Sequence, residues 1–177
     1  SNPPIVVPDW QRNFSWTTTE VEAFWNDLIS FGERHRDGGR IDTDYFLGSV
    51  VVVEAGGAHL LLDGQQRLAS SAILLSAIRD QLRLYNQDAA TRTQSRYLGD
   101  YDDAVGAYVY KVTLNVYDRD YFKQLILESR DADYEPPSPT LESHDLISKA
   151  RGFFDRKLDE IQRSAASPKH AFDQALR

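Results

Sequence analysis

Apolar residues recur along this chain at two periods, and the switches between them predict its elements. Behind Thr17-Thr18-Thr19-Glu20, whose threonine and glutamate stand three apart as in a capping box, Val21, Phe24, Trp25, Leu28 and Ile29 follow at helical spacing. A helix is predicted there, with Gly38-Gly39 ending the region. From Tyr45 to Glu54 the residues are β-branched and aromatic, Ala55-Gly56-Gly57 reads as a turn, and His59 to Asp63 is apolar again, which predicts a β-hairpin. Its second strand runs into Asp63-Gly64, and a long helix from Gln65 to Leu84 follows, with Leu68, Ala72, Leu75, Ile78 and Leu82 along one side.

The remainder is read in the same way. Asn86 to Gly106 shows no clear period and is expected to be a loop with at most a short helix. Tyr108 to Val116 alternates and predicts a third strand. Asp118 is expected to cap a short helix carrying Tyr121, Phe122, Leu125 and Ile126. Asp131 to Thr140 holds three prolines and reads as a loop, a helix is predicted from about Ser143 to Arg163, and Ser167-Pro168 looks like the start of a short last helix. At the other end, Pro3-Pro4-Ile5-Val6-Val7-Pro8 is extended by its prolines and is expected to be a strand edge or a lead-in. Mixed helices and strands around one antiparallel hairpin favour an α+β fold over a doubly wound parallel sheet.

Composition narrows the class. The 177 residues suit one domain, and 27 acidic against 20 basic side chains leave a net charge of −7. That balance disfavours a protein that coats nucleic acid by charge alone, without excluding a local basic site. With no cysteine there are no disulfides, thiolate metal sites or cysteine nucleophiles. The apolar runs are too short to cross a bilayer and none follows a signal-peptide start, so a cytoplasmic location is expected. Methionine is absent too, and the chain is read as a domain cut from a longer protein.

Two stretches carry candidate chemistry. In Asp63-Gly64-Gln65-Gln66-Arg67 an apolar strand delivers a carboxylate and a glycine, and a helix starts at once with two amides and a guanidinium. Free N–H groups and the positive dipole end make an anion site, Gly64 lets phosphate approach the backbone, and Arg67 can grip it bidentately. Gln65 or Gln66 can bond a phosphate oxygen or position a water, and Asp63 can hold a magnesium ion or orient the attacking water. Equally, Asp63 can simply cap the helix while Arg67 pairs with an acid. The longer glycine loop and lysine of a Walker A motif are absent.

In Trp10-Gln11-Arg12-Asn13-Phe14-Ser15-Trp16, aromatics interleave with polar residues able to stack a base or bond its edge. Some of those rings are expected to be a clasp over the first helix, which leaves Gln11 and Arg12 as the better functional candidates. No histidine pair has metal-ligand spacing, Ser70 and Ser71 lack a nucleophile elbow, and Asp100, Asp102 and Asp103 read as a solvated loop.

Taken in order, Pro8-Asp9-Trp10-Gln11-Arg12, Phe24-Trp25-Asn26-Asp27-Leu28, Tyr45-Phe46-Leu47-Gly48-Ser49-Val50, Asp63-Gly64-Gln65-Gln66-Arg67 and Leu114-Asn115-Val116-Tyr117-Asp118 with Phe122 resemble the DGQQR-motif domain of GmrSD-type modification-dependent restriction proteins. The resemblance runs from Ile5 to about Ile161. It implies a ParB/sulfiredoxin-like fold, a small mixed or antiparallel sheet with packed helices, in which Gly64-Gln65-Gln66-Arg67 receives nucleotide phosphate. It further implies hydrolysis of a nucleoside triphosphate with Mg2+, modified DNA as partner, and a His-Asn-His nuclease domain in the same or a partner chain; a homodimer is left open. On this reading Asp63, Gln66 and Arg67 are catalytic, with Asp63 the metal ligand. Gly64, Gln65, Gln66, Arg67, Gln11 and Arg12 bind nucleotide, while Trp10, Gln11 and Arg12 contact DNA or a base. The family's tyrosine before Gln-Arg is Trp10 here, and its later Phe-Glu-x-x-Asn-x-x-Gly region is missing, so residues 1–177 are expected to be the N-terminal sensor part of a longer protein. The rival expectation is a non-enzymatic reader of modified DNA in which nucleotide is only regulatory.

Overall fold

The structure is a computed structural model that describes residues 3–34, 45–129 and 134–164. The expected glycine stop at Gly38-Gly39 and the helix after Ser167 lie outside those residues. Strand β1 (Ile5–Val6) is followed by α1 (Thr18–Arg34), the hairpin β2 (Val51–Ala55) and β3 (Ala58–Asp63), and α2 (Gln65–Arg83). Then come α3 (Gln87–Thr93), a π-helical turn at Gln94–Leu98, β4 (Gly99–Asp102), β5 (Ala107–Tyr110) and β6 (Val112–Thr113). Helix α4 (Arg119–Phe122), a second π-helical turn at Lys123–Leu127 and α5 (Glu142–Ser164) complete the described chain. This is an α+β fold with a mixed four-stranded sheet ordered β2-β3-β1-β6 and a separate antiparallel pair, β4-β5.

Local chemistry explains several of these elements. The capping box at α1 forms: Glu20 Oε2 accepts from the Thr17 N–H at 2.8 Å, and Thr17 Oγ1 accepts from the Thr19 N–H at 3.3 Å. Glycines 56 and 57 make the two-residue hairpin turn between Ala55 and Ala58. One hydrophobic core joins β1, α1, α2 and α5, with Phe14, Phe122 and Phe154 at most 1% exposed. Each such ring contributes about 1.5–3 kcal/mol of burial.

Four expectations need correcting. The proline-flanked start is not a sheet edge: β1 lies inside the sheet, parallel to both β3 and β6. Its prolines flank the two paired residues, so Ile5 and Val7 still donate to Lys111 O and Thr113 O, while Pro4 O accepts from the His59 N–H. Second, the strand expected from Tyr45 begins only at Val51, because Gly48 sits at φ 104°, outside the extended region. Third, Asn86 to Gly106 is mostly regular; Asn86 Oδ1 caps α3 by accepting from the Ala89 N–H at 3.1 Å. Fourth, the strand expected from Tyr108 to Val116 is divided between the two sheets at Lys111. Its N–H donates to Leu98 O at 3.0 Å, while its own carbonyl accepts from Ile5 at 2.9 Å.

Helix α2 is buried more widely than its apolar stripe predicts. Ala69, Ile73, Ser76, Ala77 and Arg79 are buried along with Ala72 and Leu82, because both α3 and α5 pack against the helix. The fully buried Arg79 donates through Nε to Asp80 at 2.8 Å and through Nη1 to Gln94 Oε1 and the carbonyls of Ile126 and Leu127.

Candidate functional site

The strand β3 ends at an exposed Asp63, and Gly64 turns the chain into α2 in the left-handed region at φ 96°, ψ 6°. That conformation and the close approach of Ser49 O, 3.1 Å from where a Cβ would stand, both require glycine. Having no side chain, Gly64 leaves the helix uncapped, and Asp63 does not take over the role. The first helical bond runs from the Leu68 N–H to Gly64 O at 3.0 Å. The N–H groups of Gln65, Gln66 and Arg67 precede it at the positive end of the helix.

Across this helix start lies the segment from Asp9 to Trp16, held by side chains at nearly every step. Gln65 Nε2 donates to Arg12 O at 2.6 Å. Gln66 uses both ends of its amide: Oε1 accepts from Ser15 at 2.8 Å and Trp16 at 3.3 Å, and Nε2 donates to Asn13 O at 3.1 Å. Gln11 Nε2 donates to Leu62 O at 2.9 Å. From the far side, Asn115 Nδ2 donates to Gln11 O at 2.9 Å and to Asn13 Oδ1 at 3.0 Å. The buried Asp118 accepts from the Phe14 N–H at 2.7 Å and from the Ser143 hydroxyl at 2.5 Å. Asp118 therefore does not cap α4 with its side chain, as its position suggested, because its carboxylate is turned to this segment.

Between segment and helix opens a cleft of about 220 Å³, lined by Gln11, Arg12, Trp16, Leu62 and the whole run from Asp63 to Arg67. Every nucleotide-site residue singled out in the sequence lines it. Trp10 does not, and stands 72% exposed beside it. Phe14 is buried and Trp16 packs its ring on Phe24 at 5.9 Å, so these two are the clasp over α1. Arg67 is half-buried; Nη2 donates to Ser49 O at 3.0 Å. A larger hollow of about 340 Å³ at the hairpin tip, formed by Pro3 and residues 54–59, offers only Glu54 and His59 as ionisable groups.

The other candidates stay structural. Asp102 Oδ1 accepts from the Ala104 and Val105 N–H groups within the β4-β5 turn. Among the described residues no group of three His, Asp or Glu side chains could hold a metal ion. Ser71 bonds back to Arg67 O at 2.8 Å, and Ser70 is buried in α2. His144 is buried and stacks on Tyr121 at 4.1 Å. Asn115 and Asp118 stand in one of the sequence motifs, with Asp118 expected as a cap, but neither was expected to anchor this segment.

The family comparison bears on this cleft. A family model described as the GmrSD restriction endonuclease, N-terminal domain, matches residues 1–174. The chain belongs to that family. As a GmrSD N-terminal domain it is a component of a restriction system. No curated protein matches it at a significant level. None of the helices described in this GmrSD domain is long and apolar enough to cross a membrane.

Proposed function

We propose that this GmrSD domain binds and hydrolyses a nucleoside triphosphate, and serves as the sensor of a restriction system directed at modified DNA. In this reading it works beside a His-Asn-His nuclease domain in the same or a partner chain. The observation that carries the proposal is the cleft at the β3–α2 junction. It combines an uncapped helix start, two arginines and one exposed carboxylate in about 220 Å³.

The residues divide the work by position. The amides of Gln65 and Gln66 and the Arg67 guanidinium take phosphate oxygens, with Gly64 permitting their close approach. Arg12 faces the same space, and the side chains of Gln11, Gln65 and Gln66 hold its backbone in place. Asp63 fits a magnesium site that it shares with phosphate oxygens and water, since magnesium is commonly held by one or two carboxylates plus substrate phosphates. Bound there, magnesium supplies neutralisation of the phosphate charge. The exposed Asp63 carboxylate is the group left to orient an attacking water, since the Gln66 side chain, read from the sequence as catalytic, is buried and bonded to residues 13–16.

Nucleotide turnover with and without modified DNA tests the reading on wild type, Asp63→Ala and Arg67→Ala. Removing the Arg67 clamp is expected to lower turnover by about 10²–10³-fold with the melting temperature little changed. Wild-type turnover in a folded Arg67→Ala protein rejects it. The exposed Trp10 favours a second reading, a non-enzymatic module that recognises a modified base or phosphate. That module binds modified over plain duplex even as Asp63→Ala.

A further inference from the structure

The stretch Tyr45 to Val50, expected to be the start of a strand, lies outside β2, and its irregular path meets the candidate site at two glycines. At Gly64, an added Cβ would stand 3.1 Å from Ser49 O and 3.2 Å from Val50 Cγ2. At Gly48 the contact is tighter: an added Cβ would stand 2.2 Å from Arg67 Nη1 and 2.6 Å from its guanidinium carbon. Gly48 also holds φ 104°, where a side chain is disfavoured. Arg67 therefore packs its guanidinium directly against the Gly48 backbone while Nη2 donates to Ser49 O at 3.0 Å.

The geometry points to Gly48 as a positioning residue for Arg67, forming with the Ser49 carbonyl a seat that fixes the guanidinium at the cleft. The inference rests on the reading of that cleft as a phosphate site. A free arginine side chain carries several rotatable bonds, and ordering it on binding costs affinity. Here Nη1, the guanidinium carbon and Nε lie beside Gly48, Nη2 is engaged by Ser49 O, and Nε and Nη1 have no acceptor among the described residues. The N–H groups on those two nitrogens are left for an anion. Any side chain at position 48 would occupy the guanidinium's place and turn those donors away, although residue 48 touches no ligand itself.

The test uses the full chain and Mg2+ with ATP or GTP, measuring Kd by calorimetry and folding by thermal melting. Gly48→Ala is expected to raise Kd at least tenfold. Gly106→Ala, which also places a side chain at positive φ (68°) but meets no atom within 4 Å, is expected to stay within twofold. In an Arg67→Lys background, where no guanidinium needs the seat, Gly48→Ala is expected to add less than a twofold loss. A Gly48→Ala protein that binds within twofold of wild type overturns the inference, as does an equal loss in both backgrounds.

A second measurement depends on neither nucleotide nor the folding of a variant. In wild-type protein, NMR of the Arg67 guanidinium should show hindered rotation, with separate Nη signals. A freely rotating group overturns the seat. If the wild type binds neither nucleotide while rotation is hindered, the phosphate reading of the cleft falls and the seat stands as a structural feature.

Discussion

Gln66 occupies the first turn of α2 in a run of residues suited to phosphate chemistry, yet its side chain makes three hydrogen bonds to the backbone of residues 13–16. Each such bond is worth about 0.5–1.5 kcal/mol net, and a buried group left unpaired costs more. Gln66→Ala is expected to destabilise the protein by about 2–3 kcal/mol, read from urea unfolding midpoints. Asp118 is the counterpart on the far side, a fully buried carboxylate receiving the Phe14 N–H and the Ser143 hydroxyl. Bonds to a charged acceptor are worth about 1.5–3 kcal/mol each. Asp118→Ala should therefore cost about 3 kcal/mol or more in the same experiment. Nucleotide affinity should fall in both variants, because the segment that carries Arg12 loses its anchors.

At the scale of elements, the β4-β5 pair carries a titration of its own. Burial, and then the nearby Glu128 carboxylate and the Tyr108 ring, push the Tyr110 phenol up from 10.0 to about 12. A phenol with a raised folded pKa favours the native state while it is neutral. That contribution is whole below the unfolded value near 10 and disappears as pH rises towards 12. Urea midpoints are expected to fall across this alkaline window. Tyr110→Phe should remove the part of the fall that belongs to this residue, measured against wild type at pH 9 and pH 11.5. The break between β5 and β6 falls at Lys111, whose N–H donates to Leu98 O at the end of the first π-helical turn while its carbonyl accepts from Ile5 of the larger sheet.

Across the whole molecule, α2 and α5 are joined by a buried charge network. Asp80 receives Arg79 Nε and Arg151 Nη2, each at 2.8 Å, and Arg151 also reaches Asp155 at 2.9 Å. Burial pushes the Asp80 carboxyl up, but the bonds and charges of the two arginines outweigh it and hold it below 3.8. Burial likewise lowers the pKa of Arg79. The Asp80 contribution is present at neutral pH and fades only as pH falls through its depressed pKa. Asp80→Ala leaves two buried guanidinium groups without their shared partner, and a loss of about 3–5 kcal/mol is expected in chemical denaturation. Arg79 also ties α2 to the second π-helical turn through the carbonyls of Ile126 and Leu127. Loosening there is expected to spread beyond α2.

The elements legible in the sequence are those whose signal is local: the Thr17–Glu20 cap, the Gly56-Gly57 turn, the helical stripe of α5 and the strand–Asp-Gly–helix junction. The grouping of Asp63 to Arg67 with Gln11 and Arg12 was legible too, because the motif pairs them and the structure draws them into one cleft. Other features had no local signal. β1 became an inner strand only when β3 and β6 arrived on either side to pair with it. Arg79 is buried because three elements supply its acceptors, against the usual exposure of arginine. Asp118 was a plausible cap until Phe14 and Ser143 offered it stronger donors, and Gly48 had no evident role until Arg67 lay against it. Backbone geometry and side-chain period act over a few residues and are written in order along the chain. Which groups satisfy a buried polar atom depends on residues far apart in the chain, 104 positions for Phe14 and Asp118, and only the folded chain brings them together.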